Sequence, residues 1–160
     1  MNEPRSGCPI NQSVEVLGDR WSLIVLRDIM FGNFRTYGEI HSRSLEGIAT
    51  NILADRLKRL VEAGLLSAAP DAAHKQRTIY SLTDKAIDLV PVMVTLGNWG
   101  VKHLSPHPHL AARSIALQQG GPAMWAAFAA ELRHLHCGAP KPERSVLAEL
   151  QQAYLAAGGT

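Results

Sequence analysis

The chain has 160 residues, 46% of them hydrophobic, 19% charged and 6% aromatic, with a formal net charge of +2. This excludes wholesale disorder and predicts one domain of ordinary size with an appendage, its core filled mostly by aliphatic side chains. A charge so close to neutral means that any polyanionic partner must be met by a local patch. No apolar run approaches the roughly 20 residues needed to cross a bilayer. The opening MNEPRSGCPINQ lacks the basic head and apolar stretch of a secretory signal. Two cysteines, Cys8 and Cys137, are too few for a disulfide framework. The expectation is a soluble, cytoplasmic protein with no membrane partner and no cofactor.

In chain order, Val14, Val16 and Leu17 close a short helix at Gly18. Asp19 is placed to cap the next helix, where Trp21, Leu23, Ile24, Val25, Leu26 and Ile29 supply a broad apolar face. Phe31-Gly32-Asn33 ends it, and a third, short helix around residues 36–42 carries Tyr37 and Ile40. After Gly47-Ile48 the helical period is strongest. Leu53, Leu57, Leu60 and Val61 fall on one face, Asn51, Asp55, Lys58 and Glu62 on the other, and Gly64 stops the helix. The period then changes. Residues 65–68 read as a short strand, 70–74 as a turn, and 77–82, alternating and rich in β-formers, as a second strand. The hairpin so formed has a basic tip, His74, Lys75 and Arg77. Thr83 then caps a long helix containing Ile87, Leu96 and Trp99, in which Pro91 predicts a kink or a break.

The SPHPH stretch at 105–109 interrupts that helix, and the alanine-rich remainder reads as two helices, 122–136 and 143–157, each with an apolar stripe. Residues 1–104 thus read as the working domain and 105–160 as a helical extension, whose stripes must bury against the long helix of the same subunit, the same extension in a partner or another protein; an enlarged dimer interface is the favoured expectation and an effector-binding lid the alternative. The fold class expected is mainly α with a small β-hairpin wing: a winged helix-turn-helix plus the C-terminal extension.

This order has a chemical reading. A short helix and a turn support a second helix whose outer face can lie in a DNA major groove, while the hairpin reaches toward phosphate or minor groove. At the start of that helix Thr50, Asn51 and Ala54 would face base edges, because Asn pairs two-fold with adenine and Thr and Ala offer methyls to thymine. Arg56, Lys58 and Arg59 further along, Lys75 and Arg77 on the hairpin, and Arg35 and Thr36 ahead of the short helix are the phosphate candidates. Asp55 on the same face is a caution, since a carboxylate there repels phosphate unless it accepts from a cytosine amino group or pairs with Arg59.

The segments CPINQSVEVLGDRWSLIVLRDIMFG, RTYGEI, EGIATNILADRLKRLVEAGLL and YSLTDKA, in this order and spacing from about Cys8 to about His103, resemble the HxlR family of bacterial winged-helix transcriptional regulators. The resemblance implies a recognition helix at about 49–63 and homodimers built through the N-terminal segment and the long helix after the wing. It also implies operators of two-fold character on double-stranded DNA and no enzymatic reaction. Cys8 sits before Pro9-Ile10, where members of that family often carry a cysteine, which some of them use to sense oxidants or electrophiles. A thiol at a helix N-terminus is suited to that role, and a small, inert side chain is the plainer reading. Trp21, Tyr37 and Trp99 read as core or dimer packing, with a pocket for a small effector as the alternative. His103, His107, His109, His134, His136 and Cys137 match no common zinc spacing. Two rivals stand beside this reading. One is a winged-helix module that binds protein rather than DNA, and the other is a small thiol- or metal-dependent enzyme, for which no nucleophile, base and orienter occur together.

Overall fold

The computed structural model describes residues 5–160; residues 1–4 of the expected working domain lie outside the described residues. The elements run α1 (Pro9–Leu17), α2 (Ser22–Gly32), α3 (Tyr37–Arg43), α4 (Thr50–Glu62), β1 (Leu66–Pro70), β2 (Thr78–Leu82), α5 (Asp84–Ile87), α6 (Val90–His103), α7 (Pro108–Cys137) and α8 (Val146–Ala156). They form two compact units, one ending at Thr83 and one running Asp84–Thr160.

In the first unit the helix ends are set by short-range polar chemistry. The Asp19 carboxylate accepts from the Trp21 and Ser22 amides at 2.8 and 3.0 Å, satisfying donors that open α2. Asn33, at φ 51, ends α2 in the left-handed region, which Asn tolerates better than most residues. Thr36 and Glu39 close a reciprocal capping box on α3. Past α4, Gly64 at φ 69 lets the Leu65 amide reach the Leu60 carbonyl at 2.9 Å, a Schellman end that turns the chain into β1. β1 and β2 pair antiparallel from Leu66 opposite Leu82 to Pro70 opposite Thr78. Pro70, expected in the turn, is instead the last residue of β1, where a missing amide is tolerated. The Tyr80 amide donates to Arg35 O at 2.7 Å and Thr36 bridges Ile79, so the approach to α3 lies along the hairpin as a third, minimal strand. Val25, Leu26, Ile29, Met30, Ile40, Ile48, Leu53, Leu57, Leu60, Leu65, Leu66 and Leu82 are the buried core. This is the winged helix-turn-helix expected, mostly helical with one hairpin.

The second unit is helical. The break expected near Pro91 falls just before it, at 88–89, and Pro91 sits in the first turn of α6, where a helix needs no amide hydrogen. α7 is two helices joined at Gly121, whose φ 60, ψ −163 lies in a region closed to residues with a Cβ. Its first half, 108–120, was not read from the sequence; Pro108 starts it in the first turn, the place where proline does no harm. Helices at 122–137 and in α8 correspond to the two stripes expected. Ala86, Ile87, Val90, Val94, Leu117, Met124, Phe128, Leu132, Val146 and Leu150 are buried. The packing division at Thr83 precedes the division at 104 drawn from composition, because α6 makes its main contacts with α7. Composition follows the change of charge density, whereas compactness follows where the α6 stripe is buried.

Candidate nucleic-acid interface

The site is built on α4. Its inner face, Leu53, Leu57 and Leu60, is at most 1% exposed and nails the helix to the core. Its other side leaves Thr50, Asn51, Ala54, Lys58 and Glu62 exposed. Spacings of three and four residues put Asn51, Ala54, Lys58 and Glu62 in one strip along the helix. The start of α4 is held from outside as well. The Tyr37 hydroxyl donates to Thr50 O at 2.9 Å, and the Tyr37 ring stacks on His41 at 6.1 Å between centroids. Arg27 on α2 grips both Glu46 oxygens at 2.7 Å and also donates to Asp28 at 2.7 Å, tying α2 to the turn that precedes α4. Desolvation opposes the charge on Arg27, yet the Glu46 and Asp28 carboxylates outweigh it and raise its pKa.

The candidate phosphate contacts divide into groups. Lys58, with a side chain 76% exposed, has only a loose pairing with Glu62 at 3.8 Å, and Lys75 is exposed on the wing. Arg59 is exposed but held by Asp55, its Nε 3.0 Å from Oδ2. Arg77 is held by Asp71 at 2.6 Å, and the same carboxylate accepts from the Ala73 amide at 2.9 Å, so the pair fixes the wing tip. Arg56 turns inward, its side chain 16% exposed, with Nη1 3.0 Å from Asp19 and Nη2 2.7 Å from Asp55. Arg35 also turns inward: its Nε donates to Tyr80 O at 3.3 Å and its Nη2 to the Ser81 hydroxyl, and burial lowers its pKa despite Glu39 nearby. Thr36 is buried and its hydroxyl is engaged in the α3 cap. Tyr37, Arg27 and Glu46 were missed as supports of the site. The Thr-x-x-Glu signal of the α3 cap was legible in the chain, but the Arg27–Glu46 pair, 19 residues apart, left no local signal.

Cys8 is exposed at the N-cap of α1, its carbonyl accepting from the Gln12 amide at 3.0 Å. Cys137, also exposed, ends α7, where burial and the nearby Asp84 charge raise its pKa. Among the described residues, no three His, Cys, Asp or Glu side chains gather to hold a metal ion, and no helix is long and apolar enough to cross a membrane. A cavity of about 260 Å³ between α1, the start of α2 and the flank of α4 is lined by Glu15, Asp19, Arg56 and Leu60 among others.

A family model described as HxlR-like helix-turn-helix matches residues 16–108, more than half of the chain. The chain belongs to that family. The HxlR-like segment contains α2 to α6 whole, and therefore α4 and the β1–β2 hairpin described above. An uncharacterised HTH-type transcriptional regulator of Mycobacterium tuberculosis strain H37Rv is 37% identical over 102 residues, covering 64% of this chain and 62% of its own. The match thus spans about three-fifths of that relative's length. The crystal structure of PA1607, put forward as a transcription factor, aligns with a TM-score of 0.58 and 37% identity, over 64% of this chain and 69% of that one. The structure of a proposed MarR-family transcriptional regulator from Porphyromonas gingivalis W83 aligns at TM-score 0.52 and 27% identity, over 65% of this chain and all of that one. The relatives matched are named as HTH-type transcriptional regulators.

Proposed function

We propose that this chain acts as a cytoplasmic homodimer on a near-palindromic operator, repressing transcription by occupying it. The observation that carries the proposal is the exposed strip Asn51, Ala54 and Lys58 on a helix whose opposite face is sealed into the core. Thr50 and Asn51 at its start would read base edges. Lys58 and Lys75 would meet phosphate, with Arg59 and Arg77 as cations already paired to carboxylates. Two features support pairing of two copies. α1 has no buried residue and exposes Ile10 and Val14 at a four-residue step. α6 exposes Val92, Leu96 and Trp99, one apolar stripe with Trp99 56% exposed. Segment 1–104 would then bind DNA and pair; the stripes of extension 105–160 are instead buried against one another and α6 within their own unit, with Phe128, Leu132 and Val146 fully covered, so they are not left for a partner. A small effector, or an electrophile or oxidant acting on the exposed Cys8, would shift the placement of the two recognition helices and so the affinity.

Selection of duplexes from a random library, followed by a salt series, tests this. Asn51→Ala should weaken binding to the selected duplex by about tenfold and spare unrelated DNA. Lys58→Ala should weaken both and reduce the salt slope by about 0.9. A second reading rests on the inward turn of Arg35 and Arg56, which leaves fewer cations for a polyanion: a winged-helix module that binds protein. It predicts that no duplex is enriched even at low salt.

A further inference from the structure

We propose that Asp19 and Arg56 are positioning residues for DNA recognition, which set the charge and posture of Asp55 and Arg59 on the groove side of α4. The inference deepens the DNA-binding reading and rests on it.

The geometry is a chain of four charges running from the head of α2 to the outer face of α4. Asp19 is its fixed end. Its carboxylate accepts from the Trp21 and Ser22 amides at 2.8 and 3.0 Å and from the Ser22 hydroxyl, so it is locked to the start of α2. α2 in turn is anchored by Val25, Leu26 and Ile29, each at most 1% exposed. From there Arg56 Nη1 reaches Asp19 Oδ2 at 3.0 Å, and Nη2 of the same guanidinium reaches Asp55 Oδ2 at 2.7 Å. Asp55 finally holds Arg59, with Nε 3.2 Å from Oδ1 and 3.0 Å from Oδ2. Arg56 is therefore not placed as a phosphate contact, since it is mostly buried and both terminal amino groups face carboxylates of this chain. A planar guanidinium bridging two carboxylates fixes distance and angle together, which a lysine ammonium does not.

The consequence falls on Asp55. A carboxylate beside the groove repels phosphate, and this one is compensated on one side by Arg56 and on the other by Arg59. Burial raises the Asp19 pKa, yet the Ser22 and Trp21 hydrogen bonds, with the Arg56 charge behind them, hold it below the usual carboxylate range, so the anchor stays ionised at neutral pH. Loss of Arg56 leaves Asp55 half-compensated at the outer face. Loss of the Asp19 charge releases Arg56 to crowd Arg59 on Asp55. Either way Arg59 keeps its charge beside the duplex but not its wild-type angle.

The probes are a duplex enriched from random DNA by the wild-type protein and a duplex of unrelated sequence, titrated across a salt series. Arg56→Gln and Asp19→Asn should each weaken binding to the enriched duplex about tenfold at an unchanged salt slope. In an Asp55→Asn background neither should have a further effect, because the charge they manage is gone. Circular dichroism and melting of each variant secure the folded fraction, and Asp19→Asn, which keeps an amide acceptor, serves where Arg56→Gln fails to fold. A slope reduced by about one in Arg56→Gln marks a direct phosphate contact and overturns the proposal. Wild-type binding by Asp19→Asn, or undiminished losses in the Asp55→Asn background, also overturns it. If the wild-type protein enriches no duplex, the DNA-binding reading fails and takes this one with it; enrichment with any of the preceding results removes this one alone.

Discussion

The two units have apolar cores of similar extent and differ in how their elements are joined. Around α4 the first unit has several joints made by charged side chains: Arg27 to Glu46, Arg56 to Asp19, Arg35 to the wing, Glu39 to Thr36. The second unit relies on aliphatic and aromatic stripes on α6, α7 and α8. Its polar joints include Glu131, which accepts from the Ser145 hydroxyl at 2.6 Å and the Leu147 amide at 2.9 Å at the head of α8, and Arg133, which holds Asp84 and Asp88. Exposed or half-buried ion pairs add little stability, but they are directional where apolar contacts are not. The difference teaches where geometry is fixed: the unit that carries α4 spends polar side chains on setting its angle, and the other relies more on packing.

That contrast can be broken most forcefully in the second unit. Phe128→Ala removes a fully buried ring, and denaturant unfolding should show a loss of about 3–5 kcal/mol. A loss below about 1 kcal/mol would mean that packing is not what holds this unit. Glu131→Ala should have a smaller effect, about 1–3 kcal/mol, by leaving a hydroxyl and a backbone amide unsatisfied where the residue is 8% exposed. A neutral result there would show that the head of α8 is hydrated and the joint idle. The smallest effect is a pH dependence in the first unit. Asp19 has a folded pKa below its unfolded value. Its stabilising contribution is therefore complete above about pH 4 and is lost as the pH falls through the folded value. Melting temperatures of wild type and Asp19→Asn should differ at neutral pH and converge in strong acid. A gap that widens on acidification would contradict the Asp19–Arg56 joint.

Much of the first unit was legible because its signals are local. The strip opposite Leu53, Leu57 and Leu60 follows from the helical period alone, the stop at Gly64 from the conformation that glycine permits, and the cap by Asp19 from its place two residues ahead of Trp21. The inward turn of Arg35 and Arg56 was not legible. An arginine on the flank of an amphipathic helix has the same sequence signature whether it points to solvent or to a carboxylate far away in the chain, and Asp19 is 37 positions from Arg56 in the sequence. The helical stretch 108–120 was missed for a different reason: the prolines ahead of it and the glycines behind it read as breakers, although Pro108 stands in the first turn and Gly121 only at the join.

Periodicity, caps and breakers, each acting within a few residues, were enough to determine that this chain forms a helix-turn-helix with a wing and to pick out the segment that carries the outer strip. Which of its cations remain available, and what steadies the helix they stand on, depended on partners brought together by folding across long stretches of chain. A charge meets its counter-charge through space, and only the assembled core decides which ones come within reach.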